Sequence, residues 1–347
     1  MAEDREITIY DIARHLKISA ATVSRGLQNN PVINKNTRKK IAETAQLLGY
    51  RSNTFASSLR SRQTHTIGVL VPRLNSHFMS SILAGMEKAA SLQGYNLIIA
   101  QSLESAEKEK LNAATMFNKR VDGLLISLAY NTENMQHLEP FLKRNIPVVF
   151  FDRVDLNEKS LSVVIDNYGA AYKITQHLLE QGYKKIMHLG GNVLRNVYRD
   201  RLSGYQQALK DYGLPFLEKL HLTSPLSEEA GTEAAAYILH LAAEDRPDAV
   251  FAANDTAAVH CMIALKNAGL RIPKDIAFAG FNNDPISKVI EPNLTTVDYS
   301  GDTMGNIAIT NLINHLKGVT NLYITNSITL RADIVIRASS LKQINKN

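Results

Sequence analysis

The 347-residue sequence has one cysteine, Cys261, and no tryptophan. A lone thiol excludes an internal disulfide framework and leaves no partner for a cysteine-based metal site, so a reducing compartment is expected. Long apolar runs are missing too. The stretches from Gly123 to Ala129 and from Val148 to Phe151 are strand-sized, well short of the roughly 20 residues that span a bilayer. The charged start, Met1-Ala-Glu-Asp-Arg-Glu6, leads into no apolar segment of the signal-peptide kind. A cytoplasmic protein with no membrane contact is expected. Catalytic signatures are equally scarce: there is no Walker loop, no G-x-S-x-G elbow and no H-E-x-x-H. His188-Leu-Gly-Gly191 after an apolar run reads more simply as a turn than as a phosphate loop, and no enzyme activity, cofactor or metal is expected.

What is in excess is positive charge, and it is confined. The formal net charge is +6, from 39 Lys/Arg and 33 Asp/Glu. Eleven of those cations and five of those acids lie in residues 1–64, so the rest of the chain is neutral. Such concentration is an electrostatic footprint for a polyanion.

Residues 8–50 read as short helices. Ile9, Ile12, Ala13 and Leu16 recur at helical spacing, a break follows at Lys17-Ile18, and Ser19 can cap a second helix from Ala20 to about Gln28. Asn34 or Asn36 can cap a third, carrying Ile41, Ala45 and Leu48 and ended by Gly49. Residues 51–64 are Ser-rich and cationic, the composition of a linker. From Thr66 onward apolar strands alternate with amphipathic helices, which means parallel sheets sandwiched by helices. About 280 residues is generous for one doubly wound sheet, so two lobes are expected.

The first two helices have helix-turn-helix spacing, in which the second helix enters the major groove with its N-terminal side chains at the base edges. The exposed positions there are Ala20, Ala21, Thr22, Ser24 and Arg25. A guanidinium pairs bidentately with guanine O6 and N7, which singles out Arg25. By residue type alone a phosphate contact fits Arg25 as well.

Here the sequence resembles the LacI/GalR family of bacterial transcription factors. The likeness is carried by Thr8-Ile-Tyr-Asp-Ile-Ala13, Ile18-Ser-Ala-Ala-Thr-Val-Ser-Arg25, Thr37-Arg38, and Tyr50 with Asn53-Thr-Phe-Ala56 and Leu59. It runs on through Asp152-Arg153, Val164-Ile-Asp-Asn167, Arg201-Leu-Ser-Gly-Tyr205, Asn254-Asp255, Gly280-Phe281, Pro292 to Val297 and Arg337-Ala-Ser-Ser340. Order and spacing over almost the whole chain make the match specific.

The resemblance implies a fold and a set of roles. The fold is an N-terminal all-α helix-turn-helix headpiece (residues 1–50), a hinge helix (51–64) and an α/β core (65–340) like periplasmic sugar-binding proteins, with a tail at 341–347. The core is two doubly wound parallel-sheet lobes, the first about 65–162 and 295–325, the second about 163–294 and 326–340. Ala20, Ala21 and Arg25 fall where the family reads bases, and Thr8, Ser19, Thr22, Asn34 and Thr37 where it grips phosphates. Asn53 and Ala56 lie in the hinge, and Leu59 matches the leucine that the hinge pushes into the minor groove. Two departures stand out: Lys17 occupies a turn position usually held by glycine, and Ser52 one often held by proline. Residues 53–60 make at most two helical turns, too few for a stable isolated helix, so the hinge is expected to fold on binding.

Effector candidates sit on loops at the carboxyl ends of core strands, where such folds gather their sites. They are Phe78, Asp152, Arg195, Arg201, Leu226, Asn254 and Asn282. Arginine with amide or carboxylate forks suits polyols, sugars or purines, and a carbohydrate is the expected effector. Core packing for Phe78 and a structural ion pair for Arg201 remain open, and Asp166 is read as a helix cap. Asn282 replaces the family's usual aspartate, and Leu226 falls where some members stack an aromatic ring. The expected partner is double-stranded DNA carrying a pseudo-palindromic operator, which requires a homodimer. The last residues lack a tetramerising heptad repeat. The alternatives are a sugar-binding protein or an enzyme of the same core fold with no DNA role.

Overall fold

The computed structural model describes residues 7–50, 63–155 and 160–342. The hinge positions Ser52, Asn53, Ala56 and Leu59 and most of the tail lie outside the described residues. The chain divides into two compact units, Met1–Thr64 and His65–Asn347.

The first unit contains α1 (Ile9–Leu16), α2 (Ala20–Leu27) and α3 (Lys35–Leu47). Asp11 accepts from the Thr8 amide and hydroxyl at 2.9 and 2.7 Å, fixing the start of α1. Lys17 ends α1 in the left-handed region at φ 53°, a conformation that costs a non-glycine residue on the order of 1 kcal/mol. The side chains of Ser19 and Asn34 cap α2 and α3. Ile12, Ala13, Val23, Ile41 and Ala45 form the small core between the three helices.

The second unit opens with β1 (Thr66–Val71), α4 (His77–Leu92), β2 (Asn96–Gln101), α5 (Ala106–Asn118), β3 (Gly123–Ile126), α6 (Glu139–Lys143), β4 (Val148–Phe151) and β5 (Leu161–Ile165). It continues with α7 (Asn167–Glu180), β6 (Ile186–Gly190), α8 (Asn196–Asp211), β7 (His221–Thr223), α9 (Glu228–His240), β8 (Ala249–Ala252), α10 (Asp255–Asn267), β9 (Ala277–Ala279) and α11 (Ile286–Val289). Last come β10 (Thr296–Asp298), α12 (Gly301–Leu316), β11 (Ser327–Leu330) and β12 (Asp333–Val335).

Two parallel sheets result. The six-stranded one runs β11-β5-β4-β3-β1-β2 and the four-stranded one β7-β6-β8-β9, while β10 and β12 form an antiparallel pair. β1, β3 and β4 are apolar and buried almost throughout, as strands covered on both faces must be. α4 and α12 meet on the first sheet through Gly85 and Gly305, where a Cβ would collide with the backbone carbonyl of Asp302 or Ile82. One expectation is corrected here. The resemblance places residues 163–165 and 326–330 in the second lobe, yet β5 and β11 pair with each other in the first sheet, Val163 beside Ile328 and Ile165 beside Leu330. Both strands complete that sheet before the chain crosses over.

Candidate functional site

In the first unit the positions anticipated for phosphate contact occupy helix starts. The Ser19 Oγ accepts from the Thr22 amide at 3.1 Å and shares a hydrogen bond with the Thr22 hydroxyl at 2.8 Å. Asn34 Oδ1 accepts from the Asn36 amide at 2.8 Å, and Thr8 is held by Asp11. Helix N-termini present amide donors and the positive end of the backbone dipole, which suits phosphate. On α2, Ala21 and Arg25 are exposed, whereas Ala20, Thr22 and Ser24 are half-buried, as is Thr37 on α3. The Arg25 guanidinium forms no hydrogen bond or ion pair with another described residue, while Arg38 donates to the Asn29 carbonyl at 2.9 Å and so stabilises the turn before α3.

In the second unit a cavity of about 530 Å³ lies between the sheets, within the usual range of small-molecule sites. Its walls come from loops at strand carboxyl ends: Pro72 to Met79 after β1, Glu104 after β2, Asp152 and Arg153 after β4, Pro225 to Glu229 after β7, Ala253 and Asn254 after β8, and Asn282 to Ile286 after β9. In parallel α/β sheets these loops are free to diverge while the strands hold their positions.

The floor is built from stacked and hydrogen-bonded groups. The Arg201 guanidinium lies 3.6 Å from the Phe281 ring centroid, and its Nε and Nη1 donate to Asn167 Oδ1 at 2.9 Å and the Ala253 carbonyl at 2.6 Å. Tyr299 packs edge-on against Phe281 and Phe78 and donates to Asn282 Oδ1 at 2.8 Å. Asn254 caps α10 and donates to the carbonyl of Leu226, which sits at φ 57°. Arg153 pairs with Glu104 at 2.7 Å and donates to the Tyr198 hydroxyl at 2.9 Å.

Burial dominates the titration of three aspartates in and behind the cavity wall, Asp152, Asp255 and Asp284. It raises Asp152 above the ordinary range, opposed by Arg153 and Arg201. It raises Asp284 as well, opposed by Asn282 and His77. Asp255, behind the cavity wall, is pushed up to about 8 by burial, although the Thr296 hydroxyl and the Asp284 amide donate to it at 2.6 and 2.8 Å. Among the described residues no group of three or more His, Cys, Asp or Glu is placed to hold a metal ion.

Of the seven effector candidates, the structure brings Phe78, Asp152, Arg201, Leu226, Asn254 and Asn282 onto this cavity. Arg195 is not among them. Its side chain is buried and donates to the Thr132 carbonyl of the opposite lobe. Around it Tyr130 donates to the Ser224 carbonyl at 3.2 Å, and Asn196 accepts from the Val154 amide at 2.9 Å and donates to the Asp152 carbonyl at 3.1 Å. Arg195 therefore joins the lobes beside the cleft instead of lining it. Asp166 accepts from the Gly169 amide at 2.8 Å and caps α7. Sequence reasoning missed Arg73, His77, Glu104, Arg153, Tyr198, Glu228, Glu229, His260, Asp284 and Tyr299. The strand-end rule points to Arg73 and Glu104, but no local signal marks Tyr299 or His260.

Comparison with known proteins agrees with this layout. Residues 8–53 match the profile of bacterial regulatory proteins of the lacI family. Residues 64–335 match that of periplasmic binding proteins and the sugar binding domain of the LacI family. Catabolite control protein A of Priestia megaterium is 32% identical over 312 residues, covering 90% of this chain and 93% of that protein. The lac repressor dimer bound to operator superposes with a TM-score of 0.86 over 97% of this chain and all of that one, at 24% identity, which bears on fold alone. The transcriptional regulator CelR in complex with cellobiose superposes with a TM-score of 0.71 over 96% of this chain and all of that one, at 25% identity. A helix-turn-helix region followed by a two-lobed core in the same order and over nearly the whole length admits one conclusion: the chain belongs to the LacI family and is a DNA-binding transcriptional regulator, not an enzyme.

Proposed function

We propose that the chain acts as a homodimer on a pseudo-palindromic operator and that a carbohydrate held in the cleft between the core lobes resets its operator affinity. The observation that carries this is the cavity itself, with six of the seven anticipated effector residues on its walls. Its mixture of aromatic faces and fixed polar groups is the chemistry that holds sugar rings. The structurally similar regulator CelR, solved in complex with cellobiose, supports the same ligand class.

In this reading Ala20, Ala21 and Arg25 read base edges, with Ser24 beside them, and Thr8, Ser19, Thr22, Asn34 and Thr37 grip phosphates. Residues 51–64 serve as the hinge, Asn53, Ala56 and Leu59 included. Ligand acts by changing how the lobes meet, and the links through Arg195, Tyr130 and Asn196 are the contacts such a change strains or relaxes. Self-association is supported by β2, an edge strand with exposed Ile98 and Ile99 and followed by exposed Leu103, with Leu74 on the loop after β1 and Leu111 on α5 exposed as well. An apolar sheet edge left open is a site for pairing. The cytoplasm is the compartment such a regulator works in, and among the described residues no helix is long and apolar enough to cross a membrane.

The test is a mobility-shift titration against DNA upstream of the chain's own locus, with a thermal-shift screen of sugars and purines on the same protein. A specific shift, together with thermal stabilisation by a sugar, is expected. Stabilisation by a purine and by no sugar would overturn the ligand class.

A further inference from the structure

The cleft contains one buried carboxylate oxygen, Asp284 Oδ1, with no hydrogen-bond partner among the described residues, although the Asn282 side chain acts on the same carboxyl group. Asp284, on the loop after β9, is 8% exposed and lines the cavity. The side chain facing it is His77 at the start of α4, whose Nδ1 is 3.6 Å away, beyond hydrogen-bond reach. The loop is held in place, because the Asp284 amide donates to Asp255 and the Asp284 carbonyl accepts the Ser287 hydroxyl at 2.7 Å. An unpaired buried acceptor is costly, so a group that completes this site must bring a donor.

The remaining walls favour the same kind of ligand. Glu228 and Glu229 stand exposed on the first turn of α9, with His260 Nε2 3.3 Å from Glu228. The lining arginines are already engaged. Arg153 is held by Glu104 and Tyr198, Arg201 by Asn167, Ala253 and Phe281, and Arg73 faces Glu104 at 3.6 Å. An entering phosphate would meet carboxylates without a free guanidinium to balance it.

We propose that Asp284 is a specificity-determining residue of the cleft, accepting a hydroxyl hydrogen from an uncharged polyol and disfavouring a phosphorylated one. This rests on the carbohydrate reading of the site and narrows it.

Calorimetric titration of the full-length protein with D-glucose, maltose, cellobiose and glucose 6-phosphate tests it. At least one uncharged sugar should bind the wild type at least ten-fold more tightly than glucose 6-phosphate does. Asp284→Asn keeps the shape and removes the charge, so affinity for that sugar should fall roughly ten-fold or more and the discrimination should shrink. Tighter or equal binding of glucose 6-phosphate by the wild type overturns the proposal and leaves the carbohydrate reading standing. An unchanged sugar affinity in Asp284→Asn overturns the assignment to this residue. The comparison of sugars on the wild type decides the question even if the variant fails to fold. If none of the four binds, the carbohydrate reading falls and this inference falls with it.

Discussion

The guanidinium carbon of Arg201 lies over the Phe281 ring, 3.6 Å from its centroid, while two of its nitrogens are fixed by Asn167 and the Ala253 carbonyl. Stacking and a rigid donor fork are properties of a planar guanidinium that an ammonium lacks. Arg201→Lys should therefore weaken ligand binding roughly 10- to 100-fold, in line with the loss of a charge-assisted hydrogen bond, and leave DNA binding without ligand within about two-fold. Calorimetry and fluorescence anisotropy on the same preparation measure both.

Arg195 calls for the opposite pattern. It is buried and reaches the Thr132 carbonyl across the lobes, away from the cavity. Arg195→Ala should destabilise the core by about 1–3 kcal/mol, the cost of a lost charged hydrogen bond at a buried acceptor, and change ligand affinity less than Arg201→Lys does. Urea unfolding gives the first quantity and calorimetry the second. A large affinity loss with unchanged stability would place Arg195 in the ligand site after all.

Asp255 predicts a pH dependence. Burial raises it from the ordinary 3.8 to about 8, so the native protein holds this proton more tightly than the unfolded chain does. Its contribution is present in full below about pH 4 and is lost as pH rises towards 8. Asp255→Asn has no such proton, so the Tm of wild type relative to this variant should decline steadily from pH 5 to pH 8. A difference that stays constant over that range would mean that Asp255 is ionised throughout.

Much of this was legible in the sequence wherever the signal is local. Ser19 and Asn34 are caps because their side chains reach the amide two or three residues on, and Lys17 turns left-handed because the chain must reverse within two residues of α1. The alternation of strands and helices and the loops at strand ends located six cleft residues. What failed depends on three-dimensional closure. Residues 326–330 carry no mark that says which sheet they join, and only pairing with β5 places β11 in the first. Arg195 sits on a loop of the right kind, but its side chain turns to the opposite lobe. Tyr299 and Asp284 become site residues because the crossover after β10 and the loop after β9 converge beside α4, a contact no spacing rule encodes.

On α2 the Arg25 guanidinium is exposed without a partner among the described residues. If it reads guanine bidentately, Arg25→Ala should cost roughly 1–3 kcal/mol at one base pair and relax specificity there. Binding of the variant to a set of single-base-pair operator changes measures this. A uniform loss across all of them would make Arg25 a phosphate contact.

Coupling between ligand binding in the cleft and operator affinity is the central expectation. Its most direct test is anisotropy titration of the full-length protein against a duplex selected from random sequence, with and without a saturating concentration of whichever sugar gives thermal stabilisation in the screen. Sugar is expected to shift operator affinity roughly 5- to 150-fold in the wild type, the usual range of allosteric coupling, and in Arg201→Lys to need a roughly 10- to 100-fold higher concentration for the same shift. Equal operator affinity of the wild type with and without saturating sugar would contradict it.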